Sequence, residues 1–393
     1  MPDRETNVLC GKHIALVSTV PYFMVSQLTT QIQYLLARGM CVTLITSPGE
    51  ALAELPAHEA LNVITMDIPR KQAPWRDLKA LIRLSLIFRR GNFCIVHSTT
   101  PKAGLLCAIA GKLAGIPVRL HTFTGQAWVT RKGLMRWVMR FADKVIVQLM
   151  THCYADSPSQ RDFLVEEGFA QAGAISVIGH GSLAGVDMQR FSPSMKRHAD
   201  ELRQELKLEA GAFVIIYIGR ITRDKGLYEC LDAFAQLQAA HPQAILLLLG
   251  PVDDGSGVDI LHKARDMPGV NCLGYQAEPE RFLAISDVLC LPSYREGFGT
   301  VVIEAAAMAV PCVGTCIAGL VDAIEDGVSG LLVPARDSEA LHDALEVLLL
   351  QSDLRIQLGK QAYERCRQFF ASEQISKKLV QEYARYLTAG AGL

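Results

Sequence analysis

Short apolar segments rich in Val, Ile and Leu alternate with longer amphipathic segments along the first half of the chain. The apolar segments predict strands at His13–Thr19, Cys41–Thr46, Asn62–Met66, Phe93–Ser98, Val118–Phe123 and Lys144–Leu149. The amphipathic segments predict helices at Val25–Arg38, Trp75–Arg90, Lys102–Ala114, Gly133–Ala142 and Pro158–Glu167. Strands separated by helices indicate a parallel sheet that is covered on both faces.

A polar stretch at Asp187–Asp200 interrupts this alternation, which then resumes. The second half predicts strands at Phe213–Ile218, Ala244–Leu249, Val270–Leu273, Val288–Leu291 and Pro311–Gly314. It predicts helices at Leu227–Ala239, Val258–Asp266, Pro279–Ile285, Val301–Met308 and Ser338–Leu350, and helix throughout Leu354–Thr388. We therefore expect two doubly wound α/β domains with a ligand cleft between them, at the carboxyl ends of the strands.

Composition excludes several classes of protein. The 393 residues include 39 Lys and Arg against 40 Asp and Glu, which does not suit a nucleic-acid-binding protein. Half of the residues are hydrophobic, which excludes disorder, yet Pro21 interrupts the longest uncharged run, Ile14–Ala37, so no membrane span is expected. The eleven cysteines form no C-x-x-C pair, which is typical of reduced thiols in a cytosolic protein.

The first candidate chemical motif is G-R-I-T-R-D-K-G, from Gly219 to Gly226. It follows the strand at Phe213–Ile218 and precedes a helix, so Arg220 and Lys225 should lie on a loop at the carboxyl edge of the sheet. Fixed cations beside a helix N-terminus suit a diphosphate. The alternative is an ordinary solvated basic loop.

The second motif is E-G-F-G-T-x-x-x-E, from Glu296 to Glu304. Gly297 and Gly299 would allow backbone N–H groups to approach a ligand closely. The alternatives are that Glu296 is a surface loop acid and that Glu304 is favoured by the helix dipole.

With both motifs in one domain, the second half of the chain resembles the retaining glycosyltransferases of family 4, which have the two-domain GT-B fold. The first half resembles the capsular-polysaccharide branch of that family. This likeness rests on H-S-T-T-P-K-A-G (His97–Gly104), P-V-R-L-H-T-F-T-G (Pro117–Gly125) and G-H-G-S-L-A-G-V-D-M-Q-R-F (Gly179–Phe191). The resemblance implies an acceptor-binding domain at 1–190, a nucleotide-sugar-binding domain at 191–370 and a C-terminal helix at 371–393 that returns to the first domain.

The resemblance also implies roles for individual residues. Arg220 and Lys225, beside Gly219, would bind the donor diphosphate, and Glu304 would accept hydrogen bonds from the ribose. Glu296 would hold the transferred sugar, together with the backbone of Gly297, Phe298, Gly299 and Thr300. His121 would face that sugar across the cleft as a catalytic group, and the alternative is a satisfied core histidine. The Gly-Gly loop of the family is replaced here by Ser18–Phe23.

No cofactor is expected. The chain has no D-x-D motif of the kind that would hold a divalent metal on a nucleotide diphosphate. Arg220, Lys225 and helix N-termini would then have to stabilise the leaving group. The resemblance implies that transfer retains the anomeric configuration, and we expect a β-phosphate oxygen to take the acceptor proton.

The segment Arg131–Lys144 predicts a membrane-facing helix. Lys132, Arg136, Arg140 and Lys144 recur every four residues, and Trp137 lies among other apolar residues between them. A basic amphipathic helix suits an anionic lipid surface. The alternative is an ordinary helix with a solvated basic edge.

These features predict a retaining, metal-independent glycosyltransferase of the cytoplasm, bound at the inner face of the bacterial membrane. It would move a hexose or N-acetylhexosamine from a UDP-sugar to a polyprenyl-diphosphate-linked saccharide in surface polysaccharide synthesis. Tyr275, after the strand at Val270–Leu273, is a candidate for the base pocket. The alternatives are a nucleotide-sugar epimerase of the same architecture and a non-catalytic subunit of a polysaccharide complex.

Overall fold

The computed structural model describes residues 8–69, 73–171, 173–253 and 255–390, which form two compact units. The first unit comprises residues up to Gly185 together with the segment from Ser372 onward, and the second is Val186–Ala371. The change between units thus falls five residues before the predicted boundary at residue 190.

The first unit contains a sheet of seven parallel strands in the order β3-β2-β1-β4-β5-β6-β7. The strands are β1 His13–Val17, β2 Cys41–Thr46, β3 Leu61–Thr65, β4 Ile95–Ser98, β5 Val118–Phe123, β6 His152–Ala155 and β7 Ile175–Val177. The helices are α1 Pro21–Leu36, α2 Pro74–Arg90, α3 Pro101–Leu113, α4 Gly133–Leu149, α5 Pro158–Glu166 and the C-terminal Ser372–Gly390, which becomes α14 in chain order. Short 3₁₀ turns lie at Glu50–Glu54 and, in the second unit, at Pro193–His198 and Arg223–Lys225.

Alternate residues of the central strand β1 enter two separate cores, because successive side chains of a strand point to opposite faces. Ala15 and Val17 pack with α2, α3 and α4, whereas Ile14 and Leu16 pack with α1 and α14. Helices therefore cover both faces of the sheet, as the continuous apolar strands predict.

The second unit contains six parallel strands in the order β10-β9-β8-β11-β12-β13. The strands are β8 Phe213–Ile218, β9 Ala244–Leu249, β10 Val270–Gly274, β11 Val288–Leu291, β12 Cys312–Thr315 and β13 Gly330–Val333. The helices are α6 Ala199–Glu205, α7 Leu227–Ala240, α8 Gly255–Arg265, α9 Pro279–Ala284, α10 Thr300–Ala307, α11 Leu320–Ala323, α12 Ser338–Leu350 and α13 Ser352–Phe369.

Two predicted elements are wrong. The expected strand Lys144–Leu149 is the last part of α4, because its buried position Ile146 follows buried Asp143 at helical rather than strand spacing. The true strand in this region, β6, begins at His152. The expected continuous helix Leu354–Thr388 is also broken between Phe369 and Ser372, where the chain passes from one unit to the other.

A buried hydrogen-bond network attaches α14 to the sheet of the first unit. Nδ1 of His97 on β4 lies 2.6 Å from the Tyr383 hydroxyl of α14, and Nε2 lies 2.8 Å from the Thr122 hydroxyl of β5. Burial lowers the pKa of His97 to about 3, so its ring is neutral in the folded protein.

We expect the stability of the protein to fall on acidification because of His97. In the unfolded chain this ring takes a proton near its ordinary pKa of 6.5, whereas in the folded protein it stays neutral down to about pH 3. Below about pH 6.5 the unfolded state thus binds more protons, and each such histidine removes up to about 1.4 kcal/mol per pH unit from the free energy of unfolding. Urea denaturation at about pH 7 and about pH 5 should show a shallower loss in His97→Gln than in the wild type. His262→Gln, which changes an exposed histidine of α8, should keep the wild-type slope. An unchanged slope in His97→Gln would contradict the assignment of a neutral buried ring.

Candidate active site

The two sequence motifs lie on loops that follow neighbouring strands of the second sheet. β8 and β11 pair in parallel, with Val288 opposite Ile215, so both loops leave the same edge of the sheet. The strand order runs outward in opposite directions from this pair, which makes it the topological switch point of the sheet. Open α/β sheets bind their ligands in the crevice at such a point.

The loop after β8 is packed closely against the loop after β11. Gly226 has a φ of 68°, in the left-handed region, and ends the turn Arg223–Lys225. A Cβ atom at this position would lie 1.9 Å from the carbonyl oxygen of Pro292. Only glycine allows the two backbones to approach this closely.

The side chains of Lys225 and Glu296 meet where these loops approach each other. Nζ of Lys225 lies 2.5 Å from Oε1 of Glu296, and the Ser293 hydroxyl donates to the same oxygen at 2.7 Å. Only 13% and 14% of the lysine and glutamate side chains are exposed. Charge-assisted bonds in so dry a setting are strong and geometrically defined. A cation suited to a phosphate is thus held beside a carboxylate suited to sugar hydroxyl groups.

The second cation of the site is paired as well. Nη1 of Arg220 lies 2.5 Å from Oδ2 of Asp253, on the loop after β9, and both side chains are partly exposed. The Tyr217 hydroxyl fixes the backbone here, because it donates to the carbonyl oxygen of Arg220 at 2.8 Å. Gly219 precedes Arg220, and its N–H donates to Leu249 of β9 at 2.9 Å.

The remaining motif residues surround the start of α10. Gly299, with a φ of 86°, precedes the first helical residue, Thr300, and Gly297 lies in the preceding loop. Phe298 is 1% exposed and packs against the ring of Phe370, so only its backbone can contribute to a donor site.

Two further candidate donor-binding residues lie at different depths. Glu304 is half-buried in the middle of α10, one turn beyond Thr300. Tyr275 is half exposed in the loop after β10, an outer strand of the sheet.

His121 does not reach a surface, which corrects the expectation that its ring faces a sugar. The residue is 1% exposed on β5, and Nδ1 lies 2.9 Å from the Ser98 hydroxyl. It lies beneath α3, where a Cβ on Gly104 would come within 2.5 Å of the ring. Burial, followed by the proximity of His97, lowers its pKa to about 3. The ring is a neutral core group of the first unit.

The predicted membrane-facing residues divide into two groups. Lys132, Arg136, Trp137 and Lys144 are exposed on or beside α4. Arg140 is instead paired with Glu167 and lies over the rings of Trp128 and Phe169, so its charge already has a partner within the first unit. Within the described ranges, no helix is both long and apolar enough to cross a bilayer.

The sequence analysis missed Ser293 and Asp253 as members of the site. Ser293 precedes Glu296 by three residues in a short loop, a spacing that places both side chains on one side of a turn. Asp253 had no comparable signal, because its contact with Arg220 depends on how β8 and β9 pair. Among the residues that the structure describes, no three His, Cys, Asp or Glu side chains converge as a metal site would require.

Comparison with known proteins identifies the family. Residues 198–365 match the model for glycosyl transferases group 1, and residues 24–181 match a glycosyl transferase 4-like domain. The capsular polysaccharide biosynthesis glycosyltransferase CapM of Staphylococcus aureus is 30% identical over 365 residues, 92% of this chain and 94% of that protein. The chain is a glycosyltransferase of family 4.

Two further comparisons extend this result for the glycosyltransferase. A UDP-Gal:alpha-D-GlcNAc-diphosphoundecaprenol alpha-1,3-galactosyltransferase of Escherichia coli is 27% identical over 283 residues, 69% of this chain and 70% of that one. The crystal structure of HepE from Anabaena, in complex with UDP and glucose, superposes with a TM-score of 0.78 at 19% identity, covering 95% of this chain and all of that one. The fold is therefore the GT-B fold, as the sequence motifs predict.

Because the two loops approach closely at Gly226, Gly226→Ala should strongly lower the free energy of unfolding of this glycosyltransferase. The left-handed φ alone costs about 1–2 kcal/mol for alanine, and displacing the Pro292 carbonyl group adds about 1–3 kcal/mol. Gly211→Ala is the matched control, because its φ is 83° and no atom lies within 4 Å of the added Cβ. Urea denaturation should show a clearly larger loss of unfolding free energy for Gly226→Ala. Equal losses in the two variants would contradict the backbone contact.

Proposed function

We propose that this glycosyltransferase moves a hexose or N-acetylhexosamine from a UDP-sugar to a polyprenyl-diphosphate-linked saccharide during surface polysaccharide synthesis, with retention of configuration. The observation that carries the proposal is the contact of Lys225 with Glu296 at the switch point, where a cation for the diphosphate adjoins a carboxylate for the sugar. The names of the S. aureus and E. coli relatives support a capsular product and a lipid-linked acceptor. The UDP in the HepE structure supports the choice of base.

The proposed reaction breaks the bond between the anomeric carbon and the β-phosphate oxygen. Arg220 and Lys225 stabilise the negative charge that develops on the departing diphosphate, so that no metal ion is required. The acceptor hydroxyl attacks the oxocarbenium-like sugar from the face that the diphosphate leaves. Its proton passes to a β-phosphate oxygen, which balances the reaction without a separate general base.

The other site residues orient the donor in this proposal. Glu296 and the N–H groups of the Gly297–Thr300 segment bind hydroxyls of the transferred sugar, and Glu304 binds the ribose. Tyr275 contacts the base. His121 takes no direct part, because its buried neutral ring is bonded within the first unit.

Charge removal at three positions tests the proposed roles. Arg220→Ala, Lys225→Ala and Glu296→Ala should each lower the turnover of UDP-sugar by on the order of 100-fold or more, because each removes a group that binds charge or hydroxyls in the transition state. Lys263→Ala should keep wild-type turnover, since this exposed lysine of α8 pairs with Asp232. UDP release measures the rate, and circular dichroism checks that each variant is folded. Near-normal turnover in all three site variants would contradict the proposal.

The same assay separates the alternative functions. Incubation with a panel of UDP-sugars, with and without a polyprenyl-diphosphate-linked sugar, should release UDP rapidly only when the acceptor is present. An epimerase would convert the donor without an acceptor. A non-catalytic subunit would leave every mixture unchanged.

We further propose that the first unit binds the inner face of the bacterial membrane through α2 and α4. Both helices pack on α3 over one face of the sheet. Trp75 of α2 and Trp137 of α4 are 80% and 63% exposed, and Ile82 and Phe141 are exposed on the same two helices. Exposed aromatic and aliphatic side chains beside basic residues suit an anionic lipid surface.

Vesicle binding tests this surface. The protein should pellet with phosphatidylglycerol vesicles at low salt and remain in solution at high salt, because screening weakens the attraction of basic side chains. Lys132→Glu with Arg136→Glu should reduce binding at least about tenfold, whereas Lys360→Glu, an exposed lysine of α13, should not. Binding that is insensitive to both salt and the double reversal would contradict the assignment.

A further inference from the structure

A second ion pair joins the same two loops one residue away from the pair of Lys225 with Glu296. Nη2 of Arg295 lies 2.9 Å from Oδ2 of Asp224, and their side chains are 19% and 22% exposed. Two consecutive residues of the β8 loop thus pair with two consecutive residues of the β11 loop. The side chains of the inner pair, Lys225 with Glu296, are proposed to bind the donor. Those of the outer pair, Asp224 with Arg295, bind each other across the two loops.

The carboxylate of Asp224 is held in place from several directions. Its Oδ1 accepts a hydrogen bond from the buried Thr222 hydroxyl at 2.6 Å. The backbone carbonyl oxygen of Asp224 also accepts a hydrogen bond, from the N–H of Tyr294 at 2.9 Å. Burial by itself would raise its pKa, but the hydrogen bond from Thr222 and the charges of Arg295 and Lys225 outweigh burial, so the pKa lies below its ordinary value. Asp224 is therefore ionised at neutral pH.

A neighbouring contact reinforces the same connection. The Tyr294 hydroxyl donates to Oε1 of Glu229 on α7 at 2.6 Å, and the Arg336 guanidinium lies 4.8 Å from the centre of the Tyr294 ring. Residues on both sides of Arg295 are thus attached to the β8 loop or to the helix that follows it.

The inner pair cannot maintain the spacing of the loops by itself once a donor is bound. A diphosphate would draw the Lys225 ammonium group away from Glu296, at least in part, because both anions compete for one cation. The outer pair is not assigned to the donor, and the Thr222 hydroxyl also binds Asp224, so this pair can hold the two loops together while Lys225 binds the diphosphate. A displacement of about 1 Å between reacting groups can slow a reaction by about 100-fold.

We propose that Asp224 and Arg295 are positioning residues for sugar transfer: their ion pair fixes the distance between the loop that binds the diphosphate and the loop that binds the sugar. This inference rests on the proposed function. It predicts that loss of the pair lowers kcat while leaving nucleotide binding intact, because Arg220, Lys225 and the turn at Gly226 remain on one loop.

A double-mutant cycle tests the proposal. Arg295→Gln and Asp224→Asn should each lower kcat at least about tenfold, with the KM for donor and the Kd for UDP unchanged within about threefold. The double variant should be no slower than the slower single variant, because either substitution alone already removes the ion pair. Arg295→Lys should recover part of kcat, because an ammonium group can make one of the bonds.

Arg355→Gln provides the matched control for burial. Arg355 pairs with Asp287 at 3.6 Å with side-chain exposures of 19% and 27%, and Asp287 lies before β11, at the opposite edge of the sheet. This variant should melt at a lower temperature and keep the wild-type kcat per folded molecule. If Arg295→Gln behaves in the same way, its role is structural and the proposal is overturned.

Other results are equally decisive. Multiplicative losses of kcat in the double variant, or a loss of UDP affinity confined to Arg295→Gln, would assign Arg295 to the donor site and overturn the positioning role. Failure of the wild-type chain to transfer any sugar, with UDP still bound, would instead contradict the proposed function on which this inference rests.

Discussion

The contact between Lys225 and Glu296 depends on a constraint of the backbone, the parallel pairing of β8 with β11. That pairing sends two loops from the same sheet edge, and Gly226 allows the first loop to approach the carbonyl group of Pro292 closely. Lys225 and Glu296 are 71 residues apart in the chain, and the switch point of the doubly wound sheet brings their side chains together at 2.5 Å. The chemistry of the site follows from this approach.

Charge balance within the candidate site shows how a chain of net charge −1 could hold the proposed diphosphate site. Arg220 pairs with Asp253, and Lys225 pairs with Glu296. Each cation is neutralised where it lies, so the site needs no basic surface around it. An arriving diphosphate then competes with carboxylates already in place, which favours a ligand that also satisfies those carboxylates, as a sugar with free hydroxyls does.

Much of the fold was predictable because buried parallel strands are read as continuous apolar runs. The strand Phe213–Ile218 and the helix Ser338–Leu350 were predicted with the bounds that the structure has. The prediction of a strand at Lys144–Leu149 was wrong, because the β-branched residues there belong to the last part of a helix whose exposed face is itself apolar. Strand β6 was missed because His152 and Tyr154, at its start and centre, are polar side chains that pair with α14 or a neighbouring strand.

The candidate site was predictable to the extent that its residues lie within one loop. Arg220 and Lys225, or Glu296 and Glu304, are linked by short spacing along the chain, whereas Asp253 reaches Arg220 only through the pairing of neighbouring strands. His121 shows a different limit, because the sequence around a histidine on a strand does not show whether its ring is buried, and here the ring is 1% exposed. Arg140 is similar, since its partner Glu167 is 27 residues further along the chain, beyond β6 and α5.

Hydrogen exchange upon titration with UDP tests the central claim most directly, because it reports which backbone amides a nucleotide diphosphate covers. The account predicts slower exchange in residues 219–226 and 296–300, the two loops that carry Arg220, Lys225 and Glu296. Exchange at Asp287, which precedes β11 at the opposite edge of the sheet, should be unchanged. UDP binding that protects other segments and leaves both loops exchanging at their free rates would contradict it.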